Sequence, residues 1–375
     1  MELPSTCPDV YLVSDPEELR TFICALGPAR RNMLQIAGEL SNTVLSETLP
    51  GPLVLFRDGD VSDISTEDDC IIVRAAGSCR FDRLVQLLCE LGIPGVELLS
   101  GIPGTLGAGI VQNIAAYGQR LSDRFLSART LDLESGAIVH MNPIDMTFSY
   151  RSSALKDPQS YTPKRIILDA VLQFPKTWYP EPLKYEDIRQ LHLRRSRSID
   201  DILSRRLTVL EVRQRKGMVV GGENWMPSAG SFFVSPIVPE ETALHIATLV
   251  RGSQFAQRFL SWYQPGVGEI RCPAALLMRA SGFLNGDRWG PVGLSPHHIL
   301  AICTYSSATA SDVAAVAALV QARVQAMVGI PLQTEVRYAG SIANPDVETF
   351  LSQNPFLPGC EEPPWVLGLS TTPMS

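Results

Sequence analysis

The stretch GIPGTLGAGIVQNIAAYG, residues 101–118, places four glycines within nine positions and follows them with two side-chain amides. Glycine adopts positive φ and lets the backbone approach a ligand closely, so successive N–H groups can form a concave anion site. The same glycines also suit a tight connection without a ligand. Gln112 and Asn113 favour a ligand, because an amide both donates to and accepts from a heteroaromatic ring edge. The stretch follows neither the Rossmann nor the P-loop glycine pattern.

Hydrophobic periodicity around this stretch predicts mixed α and β structure. The run IIVRAA (71–76) is β-branched, and residues 81–91 repeat apolar side chains at helical spacing. SARTLDLESGAIVHM (127–141) predicts two strands around a turn, and RIILDAVLQF (165–174) predicts another strand. The glycine-rich stretch therefore comes shortly after a strand–helix unit.

The C-terminal third also alternates between the two kinds of element. Residues 311–329 predict a helix that begins at Ser311 or Asp312, and QTEVRYAG (333–340) predicts a strand. The last stretch, 341–375, is rich in proline and has no clear period, so we expect it to be irregular.

A shift in composition near residues 215–225 predicts a domain boundary. The sequence there combines charge, paired glycines and a proline before a new strand-like start. We expect an N-terminal α+β domain over 8–220, with 177–215 as a long inserted connection, and a smaller C-terminal α+β domain over 221–340.

Length and composition exclude several classes of protein. A chain of 375 residues is longer than one hydrophobic core usually supports, so we expect two or three domains. No apolar run approaches the ~18 residues of a membrane span. The first residues lack the basic and apolar regions of a signal peptide, which predicts a cytoplasmic protein without a membrane partner. The net charge of −7 disfavours nucleic acid as a partner.

The eight cysteines are scattered, without a C-x-x-C pair or a histidine at ligand spacing. This pattern argues against a disulfide framework and against a zinc site. We therefore expect reduced, mostly structural cysteines and no metal. The pair His297 and His298 favours a turn with one packed imidazole over a metal site, since no further ligand accompanies it.

Arginines are concentrated between residues 189 and 216. They form either a solvated helical face or a local attraction for an anionic ligand such as a diphosphate. Nucleic acid is disfavoured here too, because no aromatic residues alternate with the charges.

Three further segments place polar side chains in unusual settings. In FSYRSSALK (148–156), Arg151 beside Tyr150 suits the recognition of a carboxylate, although a surface strand end would look the same. In PSAGSFFVSP (227–236), Ser231 follows an alanine and a glycine and precedes two phenylalanines. Its hydroxyl therefore either lies against an apolar surface or forms a hydrogen bond with its own backbone. Glu335 is either a residue of the site or the partner of Arg337 in an ion pair at the edge of a sheet.

The order of five motifs is more specific than any of them alone: GIPGTLGAGIVQNIAAYG, YRSSALK, RQRK, AGSFF and EVRYAG. In this order the chain resembles the UDP-N-acetylenolpyruvoylglucosamine reductase family of flavoenzymes over roughly residues 10–340. The resemblance implies an α+β fold with a vanillyl-alcohol-oxidase (PCMH) type FAD-binding domain, followed by a smaller substrate-binding domain.

The resemblance also implies an activity. FAD takes a hydride from NADPH and passes it to the enolpyruvyl group of a small nucleotide sugar, UDP-N-acetylglucosamine enolpyruvate. The product is UDP-N-acetylmuramate, a precursor of peptidoglycan, so the implied roles are cell wall biogenesis, cell shape and cell division. A monomer is expected.

Site residues follow from the motif positions. The implied FAD contacts lie in two glycine-rich turns and the segment after them: Gly38, Ser41, Asn42, Gly101, Ile102, Pro103, Gly104, Thr105, Gly107, Gln112, Asn113, Tyr117 and Gly118. The implied catalytic residues are Ser231, as proton donor, and the pair Arg151 and Glu335, which stabilise charge on the substrate carboxyl. The implied substrate contacts are Tyr150, Tyr185, Lys216 and Ser235.

Several positions depart from the family pattern. Leu40 and Ala115 stand where the family has glycine, and each requires a negative φ to be tolerated. Ser235 replaces an asparagine that contacts the nucleotide, and the usual threonine-containing start is missing. Three hypotheses stay open: the peptidoglycan reductase, a related flavoenzyme of specialised metabolism acting on another nucleotide sugar or enol ether, and a non-catalytic relative.

Overall fold

We describe the fold from a computed structural model of the chain. It describes residues 1–360 apart from 158–162, 178–179, 199, 251, 254–255, 258, 261–262, 264–265, 267 and 343–344. The strands are β1 (Val10–Val13), β2 (Gln35–Ala37), β3 (Thr43–Leu45), β4 (Leu53–Phe56), β5 (Val61–Glu67), β6 (Cys70–Ala76), β7 (Ala115–Ala116), β8 (Gln119–Arg120), β9 (Phe125–Asp132), β10 (Ile138–Met141), β11 (Arg165–Pro175), β12 (Ser228–Ser231), β13 (Ile237–Pro239), β14 (Glu269–Arg271), β15 (Arg288–Trp289), β16 (Val292–Leu294), β17 (Ala301–Thr304), β18 (Arg337–Ala339) and β19 (Phe356–Leu357). The helices are α1 (Pro16–Ala25), α2 (Pro28–Asn32), α3 (Phe81–Glu90), α4 (Leu106–Gln112), α5 (Pro143–Met146), α6 (Glu186–Arg194), α7 (Ile202–Arg215), α8 (Glu240–Leu249), α9 (Ala274–Ala280), α10 (Ala310–Val328) and α11 (Val347–Gln353).

The N-terminal unit comprises Thr6–Ser41 and Leu49–Trp225. It contains a parallel sheet in the order β1-β4-β2 and an antiparallel sheet in the order β10-β9-β11-β6-β5. The strands predicted over 71–76, 127–141 and 165–174 all lie in the antiparallel sheet, so these predictions are confirmed.

Strand β11 shows why its sequence is almost continuously apolar. Ile167, Ala170 and Leu172 belong to the core that α3 and α4 share, whereas Ile166 and Leu168 belong to the core around α1. Because both faces of the strand are covered, apolar side chains point in both directions. Helix α3, predicted over 81–91, packs on the first of these faces.

The segment predicted as a long connection, 177–215, is mostly helical in the structure. Helices α6 and α7, which we call the helical pair, share a small core that includes Leu191 and Val209. Asp201 begins α7, since its carboxylate accepts hydrogen bonds from the N–H groups of Leu203 and Ser204. The arginines of α7 obscured its apolar spacing in the sequence.

The C-terminal unit comprises Met1–Ser5, Asn42–Thr48 and Met226–Ser375. Its main sheet runs β12-β17-β16-β15-β19, and β3 pairs in parallel with β18. The strand predicted over 333–340 is shorter than expected. Only Arg337–Ala339 pairs with β3, because the main chain just before it bonds to residues 232–234 instead.

Helix α10 forms as predicted but begins earlier. Thr309 caps it, and the Asp312 side chain completes a capping box, so neither Ser311 nor Asp312 is the cap. Gly329 ends the helix at a φ of 73°. Among the described residues, α10 is also a helix long and apolar enough to cross a membrane by length and composition, a test that the core helix of a globular domain passes too. Its residues from Val313 to Val324 contribute to the core of the C-terminal unit.

The expectation of an irregular tail is wrong for residues 347–357. Asp346 caps α11, which buries Phe350 in the core of the unit, and β19 then joins the edge of the main sheet. A helix this short shows too little periodicity in the sequence to stand out among the prolines. Residues 361–375 of the predicted tail lie outside the described residues.

Candidate active site

Two glycine turns of the N-terminal unit lie against each other. One follows β2 at Gly38, and the other spans 101–105. A Cβ added to Gly38 would lie 2.6 Å from Thr105 Oγ1, and one added to Gly104 would lie 3.2 Å from Ser41 Oγ. Gly104 also has a φ of +114°, which a side chain would strain. Glycine at these two positions therefore lets each turn pack against a hydroxyl side chain of the other, as in a cradle for a ligand.

Two main-chain N–H groups of the second turn bind carboxylates. Gly104 N–H donates to Glu39 Oε2 at 2.7 Å, and Gly101 N–H donates to Asp82 Oδ1 at 2.6 Å. Charge-assisted hydrogen bonds of this kind are about twice as strong as neutral ones. The turn thus has the chemistry of an anion site, with carboxylate oxygens as its partners in the structure.

The rest of residues 101–109, which the sequence suggested as an anion site, offers few further N–H donors. Helix α4 begins at Leu106, with Thr105 as its cap, so residues 106–109 are helical. Gly107 N–H donates to Gly77 O at 2.8 Å, Ile102 N–H donates to Leu99 O at 3.4 Å, and Pro103 has no N–H. The N–H groups of residues 106–109 thus already have acceptors within the unit, and the assignment of these residues to FAD stays a prediction.

Helix α7 of the helical pair holds Gly101 from both sides. Arg213 donates to Gly101 O at 3.1 Å. Arg206 makes two hydrogen bonds, of 2.6 and 3.1 Å, with Asp82, which accepts from Gly101 N–H. Burial lowers the pKa of Arg213. Within the arginine-rich stretch, Arg206 and Arg213 thus support the turn, whereas Arg189, Arg194 and Arg195 are exposed, as expected for a solvated face.

The amide of Asn113 is occupied by main-chain groups. Its Nδ2 donates to Ser149 O at 2.9 Å, and its Oδ1 accepts from Ser122 N–H at 3.2 Å. The residue is buried, with a φ of +45° at the end of α4. We expected this amide to face a flavin, but the structure uses it to hold the segment that carries Tyr150 and Arg151. Gln112, its neighbour, is the half-buried last residue of α4.

Arg151 lies at the tip of a tight turn. Ser149 and Ser152 exchange main-chain hydrogen bonds, and Arg151 between them has a φ of +55°. Its Nη1 donates to Ala115 O at 3.2 Å, and its guanidinium carbon lies 5.5 Å from the centre of the exposed Tyr150 ring. A left-handed arginine is strained, and such strain clusters at functional sites. The structure thus brings Tyr150 and Arg151 to the end of α4.

Three predicted residues form an aromatic cluster at the helical pair. The rings of Tyr117 and Tyr185 meet edge to face, with centres 5.4 Å apart, and Lys216 Nζ lies 6.0 Å from the Tyr117 ring centre. Lys216 is buried and forms an ion pair with Asp187. Gly118 follows with a φ of +98°. We assigned these residues to two different ligands, yet they lie together in one place.

In the C-terminal unit, Ser231 and Glu335 are fixed on adjacent main-chain segments. Glu335 N–H donates to Phe232 O at 2.8 Å, directly beside Ser231. Glu335 O accepts from Asn42 Nδ2 at 3.2 Å. Asn42, which we predicted as an FAD contact, thus belongs to this unit and braces Glu335. Both predicted catalytic side chains of the unit are half-buried.

His298 lies next to the predicted proton donor. Its Nε2 is 3.5 Å from Ser231 Oγ, and its Nδ1 accepts from Leu300 N–H at 3.2 Å. The sequence indicated a packed imidazole here and gave no reason to connect it with Ser231. Only the pairing of β12 with β17, which starts at Ala301, brings the two together.

Three departures from the family pattern have structural outcomes. Leu40 has a φ of +56°, so our expectation of a negative φ there is wrong, and the residue bears a strain of about 1–2 kcal/mol. Ala115 lies in β7 and is not among the residues with positive φ. Ser235 Oγ accepts from Ala274 N–H at 3.2 Å, at the first residue of α9.

Comparison with known proteins agrees with this arrangement. A model of the UDP-N-acetylenolpyruvoylglucosamine reductase C-terminal domain matches residues 222–339, and an FAD-binding domain model matches residues 10–142. The UDP-N-acetylenolpyruvoylglucosamine reductase of Corynebacterium diphtheriae is 32% identical over 315 residues, which cover 82% of this chain and 79% of that protein. This chain belongs to the UDP-N-acetylenolpyruvoylglucosamine reductase family.

Further relatives extend the match along the chain. The reductase of the same name from Mycobacterium leprae is 31% identical over 344 residues, which cover 90% of each protein. The solved reductase (MurB) from Thermus caldophilus shares the fold, with a TM-score of 0.55, 21% identity and coverage of 88% of this chain and 91% of that one. The predicted α+β fold with a PCMH-type FAD-binding domain is thus confirmed, and the protein is a flavin oxidoreductase.

The turn at Gly104 fits the diphosphate of FAD. Its N–H binds an anionic oxygen in the structure, and a Cβ at Gly38 or Gly104 would crowd the Thr105 or Ser41 side chain. Gly101 N–H likewise binds a carboxylate, that of Asp82, and its carbonyl accepts from Arg213, so its contact with FAD stays a prediction.

Proposed function

We propose that this protein reduces the enolpyruvyl group of UDP-N-acetylglucosamine enolpyruvate to UDP-N-acetylmuramate, with NADPH as the reductant. The observation that carries the proposal is the fixed position of Ser231 beside the main chain of Glu335, within the unit that matches the family's C-terminal domain. We further propose that the enzyme works in the cytoplasm as a monomer, without nucleic acid or membrane, and supplies peptidoglycan precursors for cell shape and division.

FAD supplies the hydride that reduces the alkene. We assign its diphosphate to the Gly38–Ser41 turn and to Gly104, where a phosphate oxygen would replace the Glu39 carboxylate on the Gly104 N–H. The turn is preorganised for this exchange, because helix α7 and Asp82 fix its first residue. Tyr117 and Gly118 complete the cofactor side as predicted contacts.

Ser231 is the proton donor in this proposal. Its Oγ–H bond breaks as a C–H bond forms at the substrate carbon next to the carboxylate, which leaves the negative charge on Oγ. A hydroxyl is a weak acid in water, but a strongly basic enolate at close range needs position more than acidity. The strand pairing at Ser231 supplies that position.

Arg151 and Glu335 act on the substrate carboxyl. The planar guanidinium of Arg151 matches a carboxylate and stabilises the charge that develops on it. The left-handed turn holds Arg151 before substrate arrives, so little reorganisation is needed. Loss of one such donor typically costs about 2.7–4 kcal/mol of transition-state stabilisation.

Tyr150, Tyr185 and Lys216 bind the substrate in this proposal. The buried Lys216 brings a positive charge to the aromatic cluster of Tyr117 and Tyr185, where a UDP diphosphate would compete with Asp187 for it. Tyr185 precedes α6 as its N-cap residue and is exposed, so a ligand that binds there would contact its ring.

A second candidate is reduction of a different nucleotide sugar or enol ether. It is favoured by Ser235, which stands where the family has an asparagine that contacts the nucleotide. In this chain the Ser235 hydroxyl accepts a hydrogen bond from the Ala274 N–H instead. The hydride and proton chemistry would be the same, with a different group attached to the enolpyruvyl unit.

One experiment tests both candidates. Purified protein loaded with FAD is bleached by NADPH without oxygen, and the flavin absorbance at ~450 nm is followed as an enolpyruvyl substrate is added. Reoxidation by UDP-N-acetylglucosamine enolpyruvate supports the first candidate. Bleaching without that reoxidation overturns it in favour of the second, and protein that takes up no FAD overturns both.

A further inference from the structure

The hydrogen bonds of His298 fix which of its ring nitrogens carries the proton. Leu300 N–H donates to Nδ1 at 3.2 Å, so Nδ1 presents a lone pair. The neutral imidazole therefore carries its hydrogen on Nε2. That nitrogen lies 3.5 Å from Ser231 Oγ, so Nε2–H donates and the serine oxygen accepts.

The backbone around the pair holds this arrangement. Phe232 N–H donates to Leu300 O at 2.8 Å, and Ser231 pairs with Ala301 across β12 and β17. Ala301 N–H in turn donates to His298 O at 2.9 Å. The histidine is therefore tied at its main chain and at its ring to the strand that faces Ser231.

This geometry is the reverse of a serine nucleophile activated by histidine. In such a pair the imidazole accepts the hydroxyl proton, which requires a lone pair on the nitrogen that faces the serine. Here the nitrogen that faces Ser231 is a donor, so it cannot take the proton. The hydroxyl hydrogen of Ser231 must then point to a different acceptor, away from the ring.

We propose that His298 is a positioning residue for the proton donor Ser231. Its Nε2–H aims the hydroxyl hydrogen away from the imidazole and stabilises the negative charge on Oγ as the proton leaves for the substrate carbon. His298 keeps its own proton throughout, and water returns a proton to Oγ after the product leaves. This inference rests on the proposed role of Ser231 in the reductase reaction.

The test distinguishes the effect of the His298 Nε2–H donor from the effect of the volume of its ring. His298→Gln keeps an N–H donor at similar reach, whereas His298→Leu keeps volume and removes it. We expect His298→Leu to slow single-turnover reoxidation about tenfold, the equivalent of one hydrogen bond. The NADPH-driven bleaching rate and the substrate Kd should not change. His298→Gln should restore reoxidation to within about threefold of the starting protein.

A double variant shows whether His298 acts through Ser231. In a Ser231→Ala background, His298→Leu should slow reoxidation no further, because the oxygen it serves is gone. Additive losses overturn the proposal, as does equal slowing of bleaching or a failure of His298→Gln to rescue. His245→Gln, at an exposed position of α8, is the matched control.

The outcomes also distinguish this inference from the proposed function. If Ser231→Ala reoxidises at the normal rate, the proposed proton donor is wrong and both ideas fall. If Ser231→Ala is slow and His298→Leu is normal, only the role of His298 falls. Should His298→Leu not fold, His298→Asn replaces it, since its shorter amide cannot reach Ser231.

Discussion

The two units of this protein hold their site residues in different ways. In the N-terminal unit, Gly101 and Gly104 occupy positive-φ turns that are tied by carboxylates and arginines from distant parts of the chain. In the C-terminal unit, Ser231 and Glu335 are held by main-chain pairing, with one side chain, His298, beside the serine. Cofactor binding should therefore depend on the side chains that anchor these turns, whereas proton delivery should depend on main-chain pairing and on the His298 side chain.

The largest expected effect comes from Ser231→Ala. Because main-chain bonds hold this strand, the variant should fold normally and be bleached by NADPH at the usual rate. Reoxidation by the enolpyruvyl substrate should be at least about a hundredfold slower, as for other losses of a general acid. Stopped-flow absorbance of each half-reaction measures both rates. Ser228→Ala on the same strand is the control, and equal loss in both half-reactions would contradict the assigned role.

The next effect concerns the cradle. Gly104→Ala places a Cβ 3.2 Å from Ser41 Oγ at a φ of +114°. We expect FAD to bind at least about tenfold more weakly, measured by flavin fluorescence, because both the turn and its N–H must shift. Gly221→Ala is the matched control, with a φ of +73° and nothing within 4 Å. If both variants bind FAD equally well, close approach is not what the glycine provides.

A third prediction tests dependence on distant side chains. Arg206→Met breaks the bonds to Asp82, whose carboxylate then no longer anchors Gly101. The free energy of unfolding should fall by about 2 kcal/mol, and FAD should bind more weakly, because one partner of a largely buried pair is left alone. Arg189→Met, which breaks an exposed ion pair on α6, should change stability by less than about 0.5 kcal/mol. Thermal unfolding measures the stability of the two variants, and FAD titration measures their affinity for the cofactor.

The smallest effect is one of pH. His192 in the helical pair is buried and bonds Thr208, and burial lowers its pKa below the ordinary value. The unfolded chain therefore binds a proton at a higher pH than the folded chain does. The stability that neutral His192 contributes is fully present above the ordinary histidine pKa. It falls as the pH drops through that value towards the lowered pKa of the folded protein. We expect the Tm to be lower at pH 5.5 than at pH 7.5, and this difference to be smaller in His192→Gln. An equally large difference in that variant would contradict the prediction.

The sequence predicted four strands of the antiparallel sheet, α3 and α10 well, because the apolar signal of each lies within one element. It placed the site residues by motif, and those assignments stay predictions. What it missed depends on contacts between distant positions. Nothing near Gly101 in the chain indicates that Arg206 and Arg213 support it, and nothing near Ser231 points to His298. The expectation of a negative φ at Leu40 was wrong for a simpler reason, since a leucine in the left-handed region is too rare to predict.

The bond from Gly104 N–H to Glu39 gives the protein an internal substitute for phosphate. A phosphate oxygen at this N–H would therefore compete with the Glu39 carboxylate for one main-chain donor.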